Sequence, residues 1–171
     1  MSLTVRQLTP NDETAFFEGM NLWSEEDRAW HTFSWKPGMS YSEMLTILED
    51  EREGRNMAEG RVPHTMLYGF LDGKIIGRVS IRHELNDFLL RRGGHIGYAV
   101  ADGYRGKGFA TLLMLEGMKY CKSLGLSEIL VTCDNANVPS WKIIEKFEAR
   151  LENKIIDEKE NKKIRRYWVK L

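Results

Sequence analysis

Cysteine is scarce. Cys121 and Cys133 are the two in 171 residues and lack C-x-x-C spacing, which argues against a disulfide framework or cysteine zinc site and points to buried thiols in a reducing compartment. Net charge is absent too: Lys plus Arg and Asp plus Glu number 25 each, so no field draws the chain to nucleic acid or an anionic membrane. No segment approaches the roughly 18 apolar residues of a membrane span. The opening Met1-Ser-Leu-Thr-Val-Arg-Gln-Leu8 lacks the basic start and apolar run of a signal peptide. A cytoplasmic location is the expectation. There is no repeat or linker, and 171 residues suffice for one domain burying about two-thirds of its unfolded surface.

What is present is a strand-like run that passes through a glycine-rich turn into an amphipathic helix, Val100-Ala-Asp-Gly-Tyr-Arg-Gly-Lys-Gly-Phe-Ala-Thr-Leu-Leu113. Gly106 and Gly108 carry no Cβ, so successive N–H groups can point at a phosphate, and the helix adds the positive end of its dipole. The dinucleotide pattern G-x-G-x-x-G does not fit, because Gly103, Gly106 and Gly108 read G-x-x-G-x-G. Nor does a P-loop, since Lys107 is followed by Gly108 and the magnesium-binding hydroxyl is missing.

Arg105-Gly-Lys-Gly108-Phe-Ala110 instead resembles the Gln/Arg-x-x-Gly-x-Gly/Ala signature of the GNAT acetyltransferase superfamily, over a match of roughly residues 66 to 151. Within it, His95-Ile-Gly-Tyr-Ala-Val100 looks like the strand along pantetheine, and Ile129-Leu-Val-Thr-Cys133 like the strand that splays from it. Asn137-x-x-Ser140 resembles the following helix start. Arg82-His83, Leu85-Asn86 and the Gly93 to Tyr98 run are similar to a subgroup known mainly as predicted acetyltransferases, which supplies no substrate. The resemblance implies an α/β (α+β) fold spanning 1–171, with a mixed central sheet of about six to seven strands flanked by helices. It implies acetyl-coenzyme A as cosubstrate, a small-molecule or peptide amine as acceptor, neither nucleic acid nor membrane as partner, and room for a homodimer. Carried over by residue, Arg105, Gly106, Lys107, Gly108, Phe109 and Ala110 hold the pyrophosphate. The N–H groups of Tyr98 and Val100, flanking Ala99, meet the thioester. Asn137 and Ser140 contact the pantetheine arm or its neighbouring backbone.

The elements follow from pattern. Leu3, Val5 and Gln7 alternate as a first strand, and Thr9-Pro10 opens a helix carrying Phe16, Met20 and Trp23. Residues 24 to 41 read as an ordered loop, followed by a helix near Ser42 to Arg55. Thr65 to Leu71 and Ile75 to Ile81 flank a hairpin turn, and a strand spans Gly94 to Val100. A helix covers 108 to 123, Gly125 ends it, and the strand beyond implies a parallel crossover. A short helix over 139 to 147 and a hairpin of 150 to 156 with 164 to 170 complete the chain. Trp23, Trp30 and Trp35 read first as core and second as an acceptor-pocket wall.

Two expected catalytic groups are missing. The family's frequent base, a glutamate, aligns with Gly94, and its tyrosine acid with Ile144. His95, His83 and Glu84 are the remaining base candidates, since an imidazole with a pKa of about 6.5 can relay a proton at neutral pH. Alternation sends 94 and 95 to opposite faces, so His95 needs a bulge or an acceptor approaching from the other face. Tyr98, Tyr104 and Tyr167 are stand-ins for the acid. Asp134-Asn-Ala-Asn137 lacks the glycine and glutamate of a calcium loop, and Lys162-Lys-x-Arg165-Arg166 reads as a solvated hairpin end.

Overall fold

The computed structural model describes residues 3–171. Four strands, β1 (Thr4–Arg6), β2 (His64–Leu71), β3 (Lys74–Arg82) and β4 (Ile96–Val100), form one antiparallel sheet in that order. The β2–β3 hairpin turns on Asp72 and Gly73, whose φ angles of 48° and 79° suit a two-residue turn matched to the twist of the strands. β2 is buried along its whole length, because both faces of the sheet are covered. Met66, Tyr68 and Phe70 meet Phe16 of helix α1 (Glu13–Gly19) and Tyr41 and Met44 of α3 (Tyr41–Glu53). On the other face Leu67, Val79 and Ile81 meet Leu113 and Met114 of α5 (Phe109–Ser123). Each fully buried side chain of this size contributes about 1.5–3 kcal/mol.

Local chemistry sets the ends of α3. Ser40 Oγ accepts from the Glu43 N–H at 3.2 Å and the Glu43 carboxylate accepts from the Ser40 N–H at 2.8 Å, while Gly54 turns left-handed at φ 71°. The loop expected over 24 to 41 contains a short helix, α2 (Arg28–Thr32), and α4 (Asp87–Arg91) is capped by Asn86. Both have five residues, too few for a helical period to show. Trp23 is buried and Trp35 donates its indole N–H to the Met39 carbonyl at 2.8 Å, as core residues do; Trp30 is 47% exposed.

The second sheet is β5 (Glu128–Asp134), β6 (Arg150–Asp157) and β7 (Lys162–Lys170), in the order β5-β7-β6. Helix α6 (Val138–Glu145) lies between β5 and β6 in sequence. Every ladder is antiparallel. The expected crossover exists as α5, yet it produces no parallel ladder, because β4 and β5 pair with different neighbours. The strand expected from Gly94 begins only at Ile96. Gly94 has φ 60° and makes a single bridge to Val131. Most of the basic hairpin end is tied: Lys162 pairs with Glu160, Arg165 stacks on Trp141 and donates to Asn135, and Arg166 pairs with Glu152.

Candidate functional site

The two sheets are stitched at one short junction. His95 N–H donates to the Leu130 carbonyl at 2.7 Å, the Leu130 N–H donates back to His95 Nδ1 at 2.9 Å, and Gly93 N–H donates to Thr132 Oγ1 at 2.8 Å. Past that point, among the described residues, β4 has no ladder partner on its second edge. The register fixes which amides face that edge. Arg82 N–H bonds the His95 carbonyl and Ala101 N–H the Ile76 carbonyl, so residues 97, 99 and 101 exchange with β3. By the alternation of antiparallel ladders, the N–H groups of Tyr98 and Val100 point the other way, into the gap before β5. Neither donates to a main-chain acceptor.

β4 runs through a 3-10 turn at Asp102–Tyr104 into the glycine loop and α5. Gly106 has φ 74° and Gly108 φ 86°, and a Cβ at either would meet open space within 4 Å. Glycine is required here by conformation, since L side chains are strained in this region. Among the described residues, the N–H groups of Gly106, Lys107, Gly108, Phe109 and Ala110 have no main-chain or side-chain acceptor within the protein. Residues 105 to 108 are exposed and Phe109 and Ala110 half-buried. Exposed consecutive donors at the start of a 15-residue helix make an anion cradle.

The side chains beside the cradle are engaged differently. Arg105 Nε donates to the Val100 carbonyl at 3.0 Å, and its Nη2 pairs with Asp27 at 2.7 Å and Asp102 at 2.9 Å. It braces the loop against the segment before α2. Lys107 Nζ donates to the Gly103 carbonyl at 2.9 Å and stays exposed. Asn137 Oδ1 accepts from the Ser140 N–H at 3.2 Å, capping α6. Tyr98 reaches across the gap, its hydroxyl 3.2 Å from Ser140 Oγ, and burial pushes its pKa up to about 12. Cys133, under the same helix, is pushed up to about 11 by burial.

The three base candidates are not brought together. His95 is buried, and the hydrogen bond from Leu130 to Nδ1 places its ring proton on Nε2. His83 Nε2 lies 2.8 Å from Thr65 Oγ1, which donates to the Tyr120 hydroxyl on α5. Glu84 is exposed at the end of β3. Ile144, at the aligned acid position, is fully buried in the core, and the Tyr167 hydroxyl is held between Arg165 and Glu145.

Burial lowers the pKa of His95 to about 4, and that of His31, whose Nε2 bonds the Phe16 carbonyl at 2.8 Å, also to about 4. Both lie below the unfolded value of about 6.5, so the stability they add is present above that pH and lost as pH falls toward 4. Thermal melting should drop between pH 7 and about pH 5 by on the order of 2 kcal/mol per histidine. His95→Asn should flatten part of that slope, and an equal drop in the variant would show that His95 does not contribute.

From sequence Arg78 receives no role and Arg82 only a part in the subgroup resemblance, although two arginines four apart in the largely apolar strand Lys74-Ile-Ile-Gly-Arg-Val-Ser-Ile-Arg82 are a readable signal. Both lie on the face of β3 shared with Gly97 and Ala99 of β4, opposite α5. Among the described residues no helix is long and apolar enough to cross a membrane, and no three His, Cys, Asp or Glu side chains group as metal ligands. A cleft of about 390 Å³ beside α3, lined by Leu8, Leu45 and Met66 among others, contains none of the β4 or loop residues.

A family model for the acetyltransferase (GNAT) domain matches residues 2–150. Similar solved structures include an N-acetyltransferase from Staphylococcus aureus Mu50, at 15% identity and TM-score 0.64 over 99% of each chain. A GNAT-family acetyltransferase from Streptococcus pneumoniae matches at 17% and 0.63, over 99% of each. A spermidine N-acetyltransferase from Vibrio cholerae, in complex with CoA and spermine, matches at 18% and 0.64, over 98% of this chain and 95% of that one. At these identities the likeness is one of fold. A comparison with curated proteins finds no match.

Proposed function

We propose that this chain, which belongs to the GNAT acetyltransferase family, moves an acetyl group from acetyl-coenzyme A to an amine by direct attack in a ternary complex. The observation that carries the reading is the row of unpaired amides from Gly106 to Ala110 beside the open edge of β4. The cradle suits a diphosphate, whose charge would be met by N–H donors and the α5 dipole. With the diphosphate there, the pantetheine arm runs toward Tyr98 and Ser140, and the Tyr98 and Val100 N–H groups are donors for the oxygen of the thioester. Such donors stabilise the charge that develops as the carbonyl carbon becomes tetrahedral. A neighbour that takes spermidine supports an amine as acceptor.

The amine nitrogen forms a bond to the thioester carbon, the carbon–sulfur bond breaks, the sulfur leaves as thiolate, and the nitrogen gives up a proton. An amine with a pKa of roughly 10.4 costs about 4.6 kcal/mol to deprotonate at pH 7, which positioning and the amide donors help to offset. His95 presents a donor, not a lone pair, on Nε2, so the base role passes to solvent on the open face or to His83 or Glu84. Tyr98, whose hydroxyl crosses the gap to Ser140, is the candidate acid for the leaving thiolate, and burial raises its pKa so that it stays protonated. The two free thiols, Cys121 buried and Cys133 half-buried, suit a reducing cytoplasm.

A second reading, an acyl-coenzyme A binder without turnover, is favoured by Gly94 and Ile144 standing where the resembling family has glutamate and tyrosine. Release of free thiol from acetyl-coenzyme A over a panel of amines, amino acids and peptides separates the two. Amine-dependent release is expected, and saturable binding with no product from any amine would favour the binder.

A further inference from the structure

β3 carries two guanidinium groups into the face of the sheet that adjoins the open strand β4, and among the described residues no carboxylate answers either. Arg78 is buried; its Nε donates to the Trp30 carbonyl, its Nη1 lies 3.5 Å from Met66 Sδ, and its guanidinium sits 5.1 Å and 4.9 Å from the Trp30 and Phe33 ring centres. These contacts fix Arg78 without neutralising it. Arg82 is half-buried, and among the described residues the one hydrogen bond of its guanidinium is a long 3.4 Å contact from Nη1 to the Gly93 carbonyl. Its guanidinium lies across Gly97, where a Cβ would come within 3.0 Å of Nη1. Gly97 precedes Tyr98, whose N–H faces the gap. Among the described residues neither arginine makes an ion pair. Between them on the same strand face, Ser80 is fully buried and its hydroxyl has no partner among the described residues.

The surroundings add positive charge. Arg61 is close enough to oppose the charge on Arg82, and the nearby carboxylate, Glu51, is taken up by Arg61 at 3.7 Å, His64 at 3.2 Å and Ser34 at 2.9 Å. A purely structural arginine of this burial would be expected to spend its donors on carbonyls or a carboxylate, because leaving a buried charged group unpaired costs several kcal/mol. Arg82 leaves nearly all its donors unspent while facing an accessible strand.

Resting on the acetyl-transfer reading, we propose that the acceptor amine also bears an anionic group, carboxylate or phosphate, which Arg82 seats against Gly97 on the open face of β4, with Arg78 and the Ser80 hydroxyl behind it. Burial holds the pKa of both arginines down to about 10, so both are charged at neutral pH. A polycationic acceptor would meet like charge there, and an amino acid-like or phosphoamine acceptor would meet complementary charge.

The test uses the full chain. Acetyl-coenzyme A titration on its own reports on the acetyl-transfer reading. With the protein saturated by coenzyme A, which keeps the glycine loop filled, acetate and inorganic phosphate are titrated against wild type, Arg82→Gln and Arg82→Lys. Saturable binding of at least one anion is expected, weakened about tenfold or more in Arg82→Gln and partly restored in Arg82→Lys, with coenzyme affinity within about twofold in all three. The stronger anion distinguishes carboxylate from phosphate. On wild type alone, amino acids against their amides and phosphoethanolamine against ethanolamine should show kcat/KM about tenfold higher for the anionic member. Anion binding indifferent to Arg82, no saturable binding of either anion, or faster turnover of polyamines or uncharged partners would overturn the proposal.

Discussion

Gly108→Glu is expected to lower affinity for acetyl-coenzyme A by at least about a hundredfold, a loss of about 2.7 kcal/mol. The carboxylate would project from the centre of the Gly106 to Ala110 amides into space that is otherwise open. Two like charges about 4 Å apart near a protein surface repel by roughly 4 kcal/mol at an effective dielectric of 20, which exceeds the loss required. Backbone strain is the competing explanation, because φ 86° at Gly108 disfavours any side chain. Gly108→Ala controls for it. Both variants should lose about 1–2 kcal/mol of stability, whereas only the glutamate should lose most of the coenzyme affinity. Calorimetric titration with a parallel thermal melt reads both, and equal affinities in the two variants would place the diphosphate elsewhere.

Gly94→Ala should destabilise the fold by about 3–5 kcal/mol, combining strain at positive φ with overpacking. A Cβ at Gly94 would lie 2.3 Å from the Leu130 carbonyl oxygen and 2.9 Å from its carbon, and both atoms are main chain, which cannot swing aside. The same carbonyl holds the His95 N–H, so relieving the clash breaks the junction between the sheets. Gly103→Ala, with nothing within 4 Å of its Cβ, should change stability by less than about 0.5 kcal/mol. Denaturant unfolding of the two variants makes the comparison, and similar midpoints would show that the junction yields cheaply. The clash also bears on catalysis. A glutamate cannot be restored at the position that aligns with the family's usual base, because no side chain fits between Gly94 and Leu130.

Much of the fold is legible in the chain because its signals are local. The Asp72-Gly73 turn and the glycine loop before α5 each depend on a few consecutive residues and appear where pattern and turn chemistry place them, and α3, expected near Ser42 to Arg55, starts one residue earlier behind the Ser40 cap. The unpaired amides of the glycine loop were legible for the same reason, since consecutive N–H groups are oriented by φ angles that only glycine takes freely. The base candidates were less so. His95 looks like a free imidazole in sequence, but its Nδ1 is spent on an amide 35 residues away. Arg105, read as a coenzyme contact, braces against Asp27, 78 residues away.

By itself the sequence determined the rough positions of most strands and of the longer helices, with the glycine loop between β4 and α5, and the resemblance set Gly94 and Ile144 where the family has glutamate and tyrosine. Only the tertiary structure decided that β7 lies between β5 and β6, that the two sheets meet at Gly94 and His95 and part beyond, and that Arg82 lies unpaired across Gly97. The division has one physical cause. Periodicity and turn preference are short-range properties of the backbone, whereas strand order, burial and the partner of a charge depend on which distant segments share a face.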